Sequence, residues 1–286
     1  MNGKLKSRGM SMAGILFSMV FAIAVHASLP AGVDESQFDS IWVGAFGFPV
    51  VACLYYLVLF AHCALLTGIF GYRSSLSRMQ VALRYGVSFA LIYIVGMQEV
   101  VVEASPFAEW GWAFIRYEFM MGLGDAIPVV LLCLIISYIY IKRDRKNEYT
   151  DEVSIFKKCF AAALFAIVFF IVRMIGYKTG LYESDIVNYP IQTYAWTILF
   201  GMAIGVAYVI LYPIYAKKTN WVMNALKETI LTIGLNWMIF NSFIGLIFKG
   251  VMPQMLLRAG IDTMSWFIAA IIVGKVFLSG ASVKEG

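Results

Sequence analysis

The sequence predicts an all-α, polytopic membrane protein of eight spanning helices, arranged as two parallel four-helix halves, 1–146 and 147–286. Three observations carry that fold class. Of the 286 residues, 61% are apolar and only 14% are charged, against about 45–50% and 25% in average soluble domains. The mean hydropathy is +0.81, and the apolar residues come in long uninterrupted runs. Lys and Arg gather at alternate junctions between those runs, as the orientation rule for membrane helices requires. A soluble globular domain, a disordered chain and a nucleic-acid-binding domain are excluded, although the net charge is +5.

The runs fall near 10–29, 41–70, 82–103, 119–141, 156–176, 191–216, 221–248 and 260–280. A crossing needs about 20 helical residues, so eight crossings use roughly 160. No stretch remains for a separate soluble domain. Barrel strands alternate over about ten residues, and these runs do not, so helices are expected. The first run comes after Lys4, Lys6 and Arg8 and has the layout of a secretory signal, with small residues flanking His26 at Val25 and Ala27. An internal repeat that includes this run favours its retention as a helix. The second run holds no charge from Ile41 to Tyr72, about 47 Å of helix, which is more than a bilayer needs. A single tilted helix kinked at Pro49 is expected there.

Sixteen of the 22 basic residues fall on one side of this layout, at the N-terminus, the 71–84 junction, the 142–158 loop, the 217–227 turn and Lys284. Eleven of the 17 acids fall on the other. Both termini are therefore expected to be cytoplasmic, in a bacterial-type plasma membrane. The basic excess is an orientation signal and not a sign of an acidic partner.

The two halves align. Leu16, Phe17, Val20, Phe21 and Ile23 match Leu164, Phe165, Val168, Phe169 and Ile171 at an offset of 148. The same offset pairs Gly32, Glu35 and Ser36 with Gly180, Glu183 and Ser184. After a gap, Trp42, Phe46 and Gly47 pair with Trp196, Phe200 and Gly201. Four helices per half put both halves in one orientation, and transporters often place their site at such a repeat interface.

Charge inside hydrocarbon is expensive, so an embedded ionisable residue is a functional candidate. Asp125 is the foremost, about 9 Å into the fourth run by helical rise. Gly122 and Gly124 allow a close neighbour there, and Pro128 removes one helical hydrogen bond. Such a carboxylate either meets a cation or proton, or pairs with a neighbouring base near a helix end. Glu99 and Glu103 lie four apart, on one face at the end of the third run. They either share a cation or face water. Arg173, in the fifth run, calls for an acidic partner or an anionic solute. Arg258 and Asp262 open the last run as an i,i+4 pair. Asn236 and Asn241 suit hydrogen bonding between helices. Residues 104–118 form an aromatic segment suited to the membrane surface or to a lid.

Nucleotide, zinc-peptidase and nucleophile-elbow motifs are absent. The four cysteines form no C-x-x-C pair, and no metal site or cofactor is expected. The expected function is a small-solute transporter or permease, not an enzyme. Asp125 with Glu99 or Glu103 would meet a small cation or protons, while Arg173 and Asn236 shape the cavity. A second expectation is a non-catalytic membrane subunit or sensor acting through a protein partner. A third, weaker one is an intramembrane lipid-modifying enzyme that draws an acid/base pair from the same carboxylates. The lipid bilayer is the common partner of all three, and nucleic acid of none.

Overall fold

A computed structural model describes residues 2–29, 35–99, 111–141, 153–181, 183–215 and 220–278. In chain order the helices are α1 (Asn2–Ser28), α2 (Ile41–Phe46), α3 (Phe48–Arg73), α4 (Arg78–Gly96), α5 (Trp112–Tyr140), α6 (Ile155–Thr179), α7 (Pro190–Tyr215), α8 (Trp221–Ile247) and α9 (Met252–Leu278). Among the described residues all but α2 are long and apolar enough to cross a membrane. The protein is a multi-pass, all-α membrane protein. Large apolar side chains such as Val58, Leu65, Ile171 and Leu199 point outward and are more than half exposed. That is the expected surface of a bundle solvated by lipid.

The uncharged stretch from Ile41 is not one kinked helix. Gly47 adopts φ 78° and closes α2 with its own N–H on the Val43 carbonyl, a conformation that costs glycine little. Pro49 then stands in the first turn of α3, where its missing N–H is not needed. At six residues α2 is far too short to cross. It is instead fastened to the end of α8, where the Ser40 hydroxyl donates to the Leu246 carbonyl at 2.6 Å. The Lys249 N–H also bonds Asp39 at 2.9 Å. This end of the bundle, away from the N-terminus, is the distal end, and the opposite one is the proximal end.

Three further boundaries differ from the sequence expectation. Helix α4 ends at Gly96, so Glu99 lies beyond its last regular turn. Helix α5 begins at Trp112 and α9 at Met252, each about two turns early. Arg258 and Asp262 therefore sit inside α9, not at its opening. Both early starts carry charged or polar residues, Arg116 and Glu118 in one and Gln254 and Arg258 in the other, which lower an average of hydropathy.

Small residues bring the helices together. A Cβ on Gly205 of α7 would lie 2.6 Å from the Ala162 Cα of α6, and one on Gly201 would lie 2.8 Å from the Ala166 Cα. Such small-residue stripes permit backbone contact where the hydrophobic effect gives no drive between helices. Gly205→Val is expected to cost about 1–3 kcal/mol through overpacking and to lower the thermal midpoint in detergent. An unchanged midpoint would show that α6 and α7 separate freely. Between the halves, α4 packs on α7, with the Trp196 indole donating to the Val95 carbonyl at 2.9 Å. Helix α3 packs on α8, with His62 against the Leu231 carbonyl at 3.1 Å. Phe200, Trp237 and Trp266, all fully buried, form the aromatic centre of the second half.

Candidate functional site

Two buried polar clusters meet at the distal end. The first is built on Arg173, six residues before the end of α6 and fully buried. Its Nε donates to Asp262 Oδ1 at 2.7 Å, and one terminal nitrogen bonds Asp262 Oδ2 and, at 2.6 Å, Glu99. Its other terminal nitrogen donates to the Tyr177 hydroxyl at 3.1 Å. The guanidinium also lies over the Phe169 and Trp196 rings, 5.2 Å from each centroid. The forked contact with Asp262 is the geometry that suits a guanidinium to a buried carboxylate. The Trp237 indole adds a third donor to Asp262 at 3.1 Å. Arg258 reaches Glu99 at 3.3 Å and the Asn241 carbonyl oxygen at 3.3 Å. Among the described residues the cluster thus holds two carboxylates and two guanidiniums, and it ties together α6, α8, α9 and the end of α4. Arg258 and Asp262 serve different partners across the bundle, so the i,i+4 pair expected along α9 is not their principal contact.

The second cluster joins α1, α3 and α5. His26 Nε2 lies 2.9 Å from Asp125 Oδ1 and 3.0 Å from the Tyr56 hydroxyl. With its proton on Nε2, His26 donates to the carboxylate. Gly124 makes room, since a Cβ there would come within 3.0 Å of the His26 ring. Asp125 is 1% exposed, and its Oδ2 has no hydrogen-bond partner. Glu118 lies seven residues earlier on the same face of α5 and is also buried.

A cavity of about 340 Å³ opens between the two clusters. Its lining includes Asp125, Glu118 and His26 together with Glu99, Arg258 and Asn241. Its remaining walls are mostly apolar, with Tyr55, Phe48 and Phe240 among them. That size and this mixture of apolar wall and few convergent polar groups suit a small organic ligand. Among the described residues, no group of three or more His, Cys, Asp or Glu is arranged to hold a metal ion.

The structure thus brings Asp125 and Glu99 to one cavity. Arg173 stands behind its wall, holding Glu99. Asn236 is not in the lining; its amide donates to the Tyr93 hydroxyl at 3.1 Å and to the Cys63 sulfur at 3.3 Å, deeper in the bundle. Glu103 and residues 104–110 lie outside the described residues. Sequence reasoning missed Glu118, His26 and Tyr56. The signal for Glu118 was its seven-residue spacing from Asp125, which becomes visible only once α5 starts at Trp112. No family model matches the chain, and neither a curated protein nor a solved structure matches it.

Proposed function

We propose that this membrane protein is a small-solute transporter or permease, and that the distal cavity receives a small organic cation. The observation that carries this is the Asp125 Oδ2 atom, buried at the cavity and without a hydrogen-bond partner. An unpaired buried carboxylate oxygen is costly unless a cation or donor completes it. The charge count points the same way. Glu99 and Asp262 are matched by Arg173 and Arg258. Among the described residues that line the cavity, this leaves Asp125 and Glu118 with His26. The apolar walls then select an ammonium group carrying an apolar body, for which aromatic faces are suited.

The helix neighbours support a parallel repeat with this cavity at its interface. Exchanging the halves converts the α4–α7 contact into the α8–α3 contact, and both are present. The lining draws on α1, α3 and α5 of one half and on α8 and Arg258 of the other. Transporters built from parallel repeats place their sites in this way. The basic residues at the proximal end support a cytoplasmic proximal face, which opens the cavity outward.

The test is thermal stability of the purified protein across primary, quaternary and polyvalent amines, with carboxylates and neutral sugars as controls. A ligand at a hundred times its Kd stabilises the folded state by about 2.7 kcal/mol. A dose-dependent rise with an amine, lost in Asp125→Asn, is the expected result. Stabilisation by carboxylates alone would make Arg258 the anchor and sink the cation assignment. No shift with any solute, together with a stably co-purifying protein, would favour a subunit acting through that partner.

A further inference from the structure

Glu228 lies on α8, seven residues after its start at Trp221, about 10 Å along the axis from the proximal end. The first cavity-lining residue of α8 is Phe240, about 18 Å further along. The two sites are therefore separate, and the role of Glu228 is independent of the solute assignment. Glu228 is fully buried, and neither of its carboxylate oxygens has a hydrogen-bond partner.

The backbone around it is unusual. Residues Leu226–Gly234 form a π-helix, a rare geometry found mostly as short insertions and often at functional sites. A polar ladder braces it from outside. The Tyr85 hydroxyl of α4 meets the Tyr215 hydroxyl of α7 at 2.7 Å, and Tyr215 meets Thr232 of α8 at 2.6 Å. Thr232 in turn donates to the Lys227 carbonyl five residues back, at 2.8 Å.

Among the described residues, no cation is hydrogen-bonded or ion-paired to Glu228. Helices α4 and α7 present the hydroxyls of Tyr85, Tyr208 and Tyr215. Helix α3 presents His62, which is bound to the Leu231 carbonyl on the π stretch itself. Helix α9 passes with Gly274 against Trp221 and Thr263 against Gly234, and between those two positions it has no titratable residue. Lys227 is the neighbouring residue on α8, and Arg84 of α4 is bonded to the Ile210 carbonyl of α7. Lys217 and Lys218 lie outside the described residues.

A bare carboxylate at this depth costs several kcal/mol, and a proton removes that cost. A metal cation would need several converging oxygens, and neither oxygen of Glu228 has a hydrogen-bonded neighbour. We propose that Glu228 is a proton-binding site and that the π stretch of α8 is the element it switches. In this closed arrangement Glu228 is a carboxylic acid. On release, its O–H bond breaks, the electron pair stays on the carboxylate, and the proton passes to water at the proximal end. The π stretch then loosens to let water reach the new charge.

Infrared difference spectroscopy after a pH jump tests this on the full chain in lipid discs, with hydrogen exchange of residues 226–234 as a second readout. With Glu118→Gln as the common background, which silences a second buried glutamate, the chain and its Asp125→Asn variant are expected to lose a protonated-carboxyl band as pH rises, and Glu228→Gln to lack that band throughout. Exchange in 226–234, corrected for its intrinsic rate, is expected to rise about tenfold or more at the higher pH in the wild type and to stay low in Glu228→Gln. A band that persists in Glu228→Gln would overturn the proposal, as would wild-type exchange independent of pH. So would failure of Glu228→Gln to fold, because the amide mimics the neutral state.

Discussion

Arg173→Met is expected to remove about 3–5 kcal/mol from the folded protein, the usual cost of stripping one partner from a buried charge set. Arg173 joins Asp262 to Glu99 through its own hydrogen bonds to both. Without it, two buried carboxylates remain against Arg258, and the ends of α4, α6 and α9 lose their common tie. Methionine keeps most of the volume and the contact with Phe169 and Trp196, so the loss reports charge and not a cavity. The double variant Arg173→Met with Asp262→Leu is expected to recover a large part of that loss. It leaves Glu99 and Arg258 as a balanced pair, and replacing a buried ion pair by apolar side chains is often neutral or better. Thermal midpoints and monodisperse yield in detergent measure both variants. A single variant as stable as the wild type would mean that packing alone holds the distal end. A double variant worse than both singles would mean that the carboxylate of Asp262 is needed for itself.

The solvent decides how much of this fold is legible in the sequence. Lipid demands that each crossing satisfy its own backbone, so eight long apolar runs translate directly into eight helices. Depth singled out Asp125, while Glu99, Glu103 and Arg173 read as charges near helix ends, where a side chain can meet water or snorkel. Partnership was not legible. Arg258 and Asp262 sit four apart, which suggests a pair along one helix, yet each turns to a residue from elsewhere in the chain. Long-range choice depends on how the helices rotate, and rotation is set by small-residue contacts such as Gly205 on Ala162. The break at Gly47 was hidden for a different reason. A proline is an obvious candidate for a kink, whereas a glycine beside it shows its role only through a positive φ. Glu228 was passed over because Lys227 beside it reads as part of the basic turn at the proximal end. Its signal was an acid seven residues into the crossing with no basic residue one helical turn later to pair with it.

The variants around Asp125 separate a binding role from a structural one. Asp125→Asn keeps the shape and an acceptor for the His26 N–H, so the fold is expected to survive. It removes the charge that faces the cavity. A hydrogen bond to a charged group is worth about 1.5–3 kcal/mol, so the affinity for a stabilising amine should fall about ten- to a hundredfold. Glu118→Gln should cost less, because that carboxylate acts on the ligand as a second charge while Asp125 offers an unpaired oxygen. His26→Ala divides the two readouts. It takes away the partner of Oδ1 and should lower stability by about 1–3 kcal/mol, but it leaves both oxygens of Asp125 open to the cation. Amine affinity in His26→Ala should therefore hold or rise while the thermal midpoint falls. If the His26–Asp125 contact only fastened α1 to α5, both variants would lower the midpoint and neither would change ligand affinity. Titration of the amine against tryptophan fluorescence, run beside thermal unfolding on the same preparations, decides between them. Opposite signs in His26→Ala would identify the Asp125 carboxylate as the cation's seat, and parallel losses would reduce it to a helix contact.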